Sequence, residues 1–276
     1  MQAIPLIYHR PSASIEGRLC ALTDRGRVRP ANEDAVFAAA DGRILIVADG
    51  MGGHQGGKVA STLAVEAIAT MLFFRDWQSM GTGPESVFPV SAVLVAALEH
   101  AHRTLNRATE KTRGLRGMGT ALALGCVLGN RLHTCHVGDV RVYVRNRSGL
   151  IQLTRDHSVV EARVQAGILT PEAAQSHPDR NQLLQALGAS RQIIPEIHSQ
   201  LLESRDLVLL CSDGLWNALT EDQMATILDP HVPLEHRARQ LVAEANAVGG
   251  EDNITVVLYE HTEAHREPCF PAALHR

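Results

Sequence analysis

Aromatic residues are scarce in this chain, at 4% of its length, so it has few flat faces on which bases or sugars would stack. It also lacks an excess of positive charge. Its 26 Lys and Arg stand against 30 Asp and Glu, a formal charge of −4, which leaves no basic field for a phosphate backbone. Nucleic acid is thereby excluded as the main partner. The cysteines are few, odd in number and scattered (Cys20, Cys126, Cys135, Cys211, Cys269), with no Cys-x-x-Cys pair. That pattern suits reduced thiols in a cytosolic protein, most of them serving as small core residues, and excludes a disulfide framework or a zinc knuckle. The longest mild apolar segment, Gly117 to Asn130, is too short and glycine-rich to span a bilayer and lies between Arg116 and Arg131. The first ten residues have neither the basic start nor the apolar stretch of a signal peptide. A cytoplasmic protein with no membrane span is the expectation. The remaining composition, 45% hydrophobic and 20% charged over 276 residues, is that of one large or two modest globular domains, and excludes disordered, collagen-like and coiled-coil chains.

Residues 1–17 and 262–276 carry Pro, Ser and His without periodicity and read as an N-terminal extension and a C-terminal tail around a domain at 18–261. Within the domain, short strands are expected at 18–23, 35–38 and 43–48, and a helix over 57–74 with Val59, Leu63, Ala67, Ile68, Met71 and Leu72 on one stripe. A Gly/Ser/Pro loop at 79–91 precedes a second helix carrying Val93, Leu94, Ala97, Leu98, Ala101 and Leu105. Four strands follow over 119–153, with hairpin turns at Gly129-Asn130 and Asn146–Gly149. After a polar helical insertion at 158–177 come strands near 193–201 and 206–212, helices at 220–229 and 234–247, and a last strand at 254–260. Strands in hairpin runs and helices in pairs favour mostly antiparallel sheets covered by helices, an α+β layered fold.

The placement of aspartates carries the chemistry. Asp49 ends an apolar strand and is followed by Gly50-Met51-Gly52-Gly53-His54; Asp213 ends Leu207–Ser212 and is followed by Gly214; Asp139 follows Val137-Gly138; Asp252 precedes Asn253 and the closing strand. A single Asp-Gly after a strand is usually only a turn. Several acids at the ends of buried strands are costly unless something neutralises them, and oxygen ligands from different strands suit the hard ions Mg²⁺ or Mn²⁺. His54, in the glycine-rich corner, is a candidate general acid. The other histidines make no zinc site: His100 and His102 are two apart on a helix, and His133 and His136 fall on opposite faces of a strand. Gly52–Lys58 fits Gly-x-x-x-x-Gly-Lys, but Val59 stands where a nucleotide-binding loop needs a Ser or Thr hydroxyl.

Taken together, the motifs resemble the metal-dependent serine/threonine protein phosphatases of type 2C, in their bacterial single-domain form. The likeness rests on Arg29-Pro30-Ala31-Asn32-Glu33-Asp34, Val47–His54, Gly117–Ala121, His136–Arg141, Leu153–Ser158, Ser212–Trp216 and Glu251–Thr255, in the family's order. It implies an α-β-β-α sandwich of two antiparallel sheets flanked by helices, with a flap at about 158–180. It implies two Mn²⁺ or Mg²⁺ ions: Asp49 bridging both, the Gly50 carbonyl on one, and Asp213 and Asp252 on the other. A weaker third site would use Asp139 with Asp213, and Glu33 and Asp34 would hold metal-bound waters. Arg29 would clamp the substrate phosphate, a metal-bridging hydroxide would attack phosphorus, and His54 would protonate the leaving alkoxide. The resemblance further implies phosphorylated Ser/Thr proteins as substrates of a cytoplasmic monomer that opposes a Ser/Thr kinase, with a forkhead-associated protein as a target. Leu184-Gln185-Ala186-Leu187-Gly188 departs from the family's Thr-Arg-Ala-Leu-Gly, and His136 and Val140 also stand where relatives often differ. The alternatives are a catalytically weak phosphoprotein-binding relative, marked by loss of the metal acids, and a nucleotide hydrolase.

Overall fold

The computed structural model describes residues 7–8, 17–52, 56–73, 75–77, 80, 85 and 87–262. Eleven strands form two sheets, six-stranded and five-stranded. The first sheet contains β1 (Ile7–Tyr8), β3 (Ala35–Ala39), β4 (Ile44–Met51), β5 (Gly119–Leu128), β6 (Arg131–Val137) and β9 (Glu196–Leu201), in the order β1-β3-β4-β5-β6-β9. The second contains β2 (Gly17–Asp24), β7 (Arg141–Asn146), β8 (Gly149–Gln152), β10 (Leu207–Cys211) and β11 (Ile254–His261), in the order β2-β11-β10-β7-β8. Every pair is antiparallel except β1 with β3, which is parallel. The sheets are mostly antiparallel, as expected, with this one parallel pair at an edge.

The strands read as nearly unbroken apolar runs because both faces of each sheet are covered. In β4, Leu45 and Val47 point between the sheets, while Ile44, Ile46 and Ala48 point outward beneath helices. In β10, Val208 and Leu210 face the inter-sheet core, and Leu207, Leu209 and Cys211 face the opposite layer. Helices α1 (Gly56–Phe73) and α2 (Val87–Lys111) cover the first sheet. The second is covered by α6 (Glu221–Ile227) and α7 (Leu234–Ala247), preceded by the one-turn α5 (Asp213–Trp216). Ala60, Ala64, Ile68 and Leu72 repeat every four residues along α1 and are fully buried, as are Leu94, Leu98, Ala101 and Leu105 of α2. By length and composition α1 is the one helix among the described residues apolar enough to cross a membrane; here its buried stripe packs on the sheet.

Several boundaries move. The second helix begins at Val87, inside the expected loop, because Pro89 sits in its first turn, where no intrahelical N–H is needed. Strand β9 starts at Glu196, after Pro195. Asp213 is not a strand end but the first residue of α5, with Ser212 as its N-cap. The segment expected as a flap carries two short helices, α3 (Val159–Gln165) and α4 (Pro171–Gln175), capped by the Ser158 and Thr170 hydroxyls. Cys126, Cys135 and Cys211 are buried free thiols, Cys20 is half-buried, and Cys269 lies outside the described residues.

One buried ion cluster ties α7 to the second sheet. Arg237, only 1% exposed, pairs with Glu260 of β11, which also accepts from Arg18 of β2. Removing Arg237 would leave the buried Glu260 carboxylate with only the exposed Arg18 as its partner. Arg237→Ala is therefore expected to lose about 3–5 kcal/mol of stability, read as a lower urea midpoint; an unchanged midpoint would refute this.

Candidate metal-dependent active site

One end of the sandwich opens as a cleft of about 1030 Å³, lined among others by Arg29, Glu33, Asp49, Gly50, Asp139, Gln185, Arg191, Asp213 and Asp252. All six acids expected from sequence, Glu33 among them, meet there or directly beneath it. Asp49 and Gly50 come from the end of β4, Asp139 from the β6–β7 corner, Asp213 from α5, Asp252 from the turn before β11, and Asp34 from the approach to β3. Asp34 and Asp139 are buried; Asp49, Asp213 and Asp252 are partly open to the cleft.

The corner geometry explains the glycines. A Cβ on Gly50 would lie 2.1 Å from the Gly57 carbonyl oxygen and 2.6 Å from that of Glu33, so β4 and the start of α1 approach only because both positions are bare. Gly138 turns with φ +101, and a Cβ there would lie 2.4 Å from Ala121 Cβ. That turn delivers Asp139 to the cleft. Its carbonyl accepts from Trp216 Nε1 (3.0 Å), and the Trp216 ring lies under the Arg141 guanidinium at 3.7 Å. Arg141 is in turn forked onto Asp156 (3.0 and 2.7 Å).

Beneath the cleft a polar network holds Asp34. Its Oδ2 accepts from Thr255 Oγ1 (2.6 Å) and Ser212 Oγ (2.8 Å), and Thr255 is within 2.7 Å of Thr23 Oγ1, which accepts from Asn32 (2.8 Å). Asn253 Oδ1 accepts from the Glu33 N–H (2.8 Å), while its amide donates to the carbonyls of Arg25 and Ala31. The Glu33 carboxylate, which lines the cleft, lies beside Gly57. Thr255 and Ser212 stand within the sequence motifs, but the motifs alone do not show this role. The available signal was polarity inside Ile254-Thr255-Val256, an otherwise apolar buried strand.

The electrostatics oppose this arrangement unless a cation is held. Burial pushes the Asp34 carboxyl up to about 7, despite the Thr255 and Ser212 hydrogen bonds, with Asp213 and Asp252 adding to the rise. Burial and repulsion from Asp252 raise Asp213 to about 6. Asp49 and Asp139 are pushed well above the usual carboxylate range, first by burial and then by Asp213. Asp49 and Asp213 face each other closely enough to share a hydrogen bond. Buried oxygens Asp213 Oδ1 and Asp34 Oδ1 have no protein partner. An all-oxygen donor set with partnerless carboxylate oxygens fits hard divalent ions such as Mn²⁺ or Mg²⁺.

Arg29 sits half-exposed at the rim, where its Nη2 donates to Asp252 at 2.6 Å. His54 lies outside the described residues. Lys58, the lysine of the apparent nucleotide loop, donates to the Asp34 carbonyl (2.8 Å), which commits it to the acid network. His133 and His136 do lie on opposite faces: His136 stacks on His157, while His133 follows the alternation of Cys135 toward the helices.

Known proteins share this sequence and fold. Residues 27–246 match the family model for protein phosphatase 2C. The chain is 37% identical over 241 residues to a serine/threonine phosphatase, stp, of Listeria monocytogenes, covering 86% of this chain and 93% of that protein. The Mycobacterium tuberculosis serine/threonine phosphatase PstP/Ppp superposes with a TM-score of 0.80 at 35% identity, covering 89% of this chain and 99% of that one. A second structure, the catalytic domain of the phosphatase PstP in complex with two manganese ions, gives a TM-score of 0.77 at 34% identity, with coverages of 89% and 98%. With the acids gathered in one cleft and the sandwich shared, the chain belongs to the protein phosphatase 2C family.

Proposed function

We propose that this chain hydrolyses phosphoserine and phosphothreonine in proteins as a Mn²⁺- or Mg²⁺-dependent phosphatase. The observation that carries the reading is the convergence of Asp49, Asp139, Asp213 and Asp252 on one cleft with Asp34 beneath it, and two buried oxygens left without protein partners. Asp49, the Gly50 carbonyl, Asp213 and Asp252 would hold two ions, and Asp139 with Asp213 a third. Such ions supply a water that ionises near neutrality and neutralise charge on the phosphoryl group when bound.

The chain's own residues do the rest. Glu33 and Asp34 orient water at the cleft floor, with Asp34 fixed by Thr255 and Ser212. Arg29 spends one contact on Asp252 and keeps further guanidinium donors for the phosphoryl oxygens. His54 gives its proton to the departing Ser or Thr oxygen. Cys211 and Ser212 are not nucleophiles: Cys211 is a buried thiol whose pKa is raised by burial, and the Ser212 hydroxyl is committed to Asp34. The same reading makes the chain a cytoplasmic monomer acting opposite a Ser/Thr kinase, with a forkhead-associated protein among its targets; the naming of its relatives as serine/threonine phosphatases supports the phosphatase activity on which these further roles rest.

The test is hydrolysis of p-nitrophenyl phosphate and a phosphothreonine peptide with Mn²⁺, Mg²⁺ or excess EDTA, beside Asp213→Asn. Turnover should require the divalent ion and fall by at least about a hundredfold in the variant. A folded protein inactive with every divalent ion would instead be a phosphoprotein-binding module.

A further inference from the structure

Behind the Asp139 corner, three segments are joined by one side chain. Gln185 Oε1 accepts from the Ile194 N–H (2.7 Å), which can only donate, so the amide orientation is settled. Its Nε2 then donates to the Ile194 carbonyl (3.1 Å) and to His157 Nδ1 (2.8 Å). His157 Nδ1 also faces the Gly138 N–H (3.3 Å), a second group that can only donate. Two donors on one ring nitrogen fix it as the acceptor and place the proton of the neutral ring on Nε2, facing Glu196 at 3.9 Å. Burial and His136 push His157 down to about 4, so the ring is neutral near pH 7.

The proximity of His136, His157 and Glu196 suggests a second cation site, but the hydrogen bonds argue against it. His136 Nε2 donates to the Arg155 carbonyl (2.8 Å), so both rings present N–H toward the space between them and the carboxylate. This is a hydrogen-bonded support. His157 grips Gly138 twice, its ring Nδ1 accepting from the Gly138 N–H and its backbone N–H donating to the Gly138 carbonyl at 2.9 Å. Gly138 is the turn that delivers Asp139.

We propose that Gln185 is a positioning residue for the active site: acting through His157, it holds the Gly138–Asp139 corner in the geometry that receives a cation at Asp139. The proposal rests on reading the cleft as a metal site. It predicts that the donor on Gln185 matters more than its bulk.

The experiment follows Mn²⁺ binding to the full chain, without substrate, by the EPR signal of the free ion, beside ¹⁵N NMR of the imidazoles. Gln185→Ala and Gln185→Glu should each weaken the Asp139-dependent step by about tenfold. Gln185→Glu keeps an oxygen for Ile194 but has no N–H for His157, and should shift the His157 ring away from its Nε2–H form. His157→Asn, whose Oδ1 can replace Nδ1 as acceptor, should bind nearly as the wild type, whereas His157→Leu should not. In an Asp139→Asn background, Gln185→Ala should add nothing. Superimposable binding curves for the wild type and both Gln185 variants would overturn the proposal, as would the same loss with Asp139 already replaced. Equal loss at every site together with a lower melting temperature would also overturn it, making Gln185 a fold residue. A wild-type chain that binds no Mn²⁺ would bring down the metal reading itself, and this proposal with it.

Discussion

Asp49→Asn should reduce Mn²⁺-dependent phosphatase turnover by about a thousandfold or more, and the metal-free variant should melt at a higher temperature than the wild type. The two effects share a cause. Asp49 lies among Asp34, Asp139, Asp213 and Asp252, and each of these raises its proton affinity, burial doing most. Asparagine keeps the shape and removes the charge, so repulsion in the metal-free protein falls. It also removes a carboxylate that a divalent ion needs, and electrostatic stabilisation is among the largest contributions to catalysis. Stability and function thus pull in opposite directions at one atom pair. Steady-state kinetics and thermal melts in EDTA check both; a variant that melts lower in EDTA would refute the repulsion argument.

The stability of the metal-free protein should fall as pH rises from about 4 to 7, and Mn²⁺ should reverse that slope. The sign follows from the protons. Unfolded, Asp34 titrates near its ordinary value of 3.8, and folded near 7, so across that window the folded state binds more protons and loses ground as they leave. Asp213, raised to about 6, acts in the same direction over the lower part of the window. The loss is fully developed above pH 7 and absent below pH 4. A shift of that size on Asp34 corresponds to a few kcal/mol, at about 1.4 kcal/mol per pH unit. Mn²⁺ binds the ionised carboxylates of the folded state only, and at a hundred times its dissociation constant contributes about 2.7 kcal/mol. The gap between melting temperatures in Mn²⁺ and in EDTA should therefore widen from pH 5 to pH 8. A constant gap would mean that the acids do not form the ion's site.

Much of this was legible in the sequence, for physical reasons. Strands covered on both faces read as unbroken apolar runs, and an acid at the end of such a run has a desolvation cost that demands a purpose. Asp49, Asp139, Asp213 and Asp252 stand out on that ground alone, and the structure gathers all of them. Asp34 was legible only through the motif that contains it, because its support comes from Ser212 and Thr255, 178 and 221 residues away. The Gln185–His157–Gly138 chain was invisible: three turns must be folded before the amide meets the ring, and no periodicity records where a turn aims a side chain. The parallel β1–β3 pairing spans two residues, too few to leave a pattern. Arg29 was read as a phosphate clamp, yet its observed partner is Asp252 across 223 positions of sequence, a contact set by tertiary proximity.

The pairing of β2 with β11, Gly17 opposite His261 through Asp24 opposite Ile254, joins the two ends of the described core. Its consequence lies in the order of assembly during synthesis. Sheet closure waits for the last strand to leave the ribosome, and so does the site, since Asp34 is gripped by Thr255 and Arg29 by Asp252. Contacts this distant in sequence make folding slow relative to local helix formation. A nascent chain that stops short of Asp252 has neither that acid nor β11, and so cannot complete the cleft.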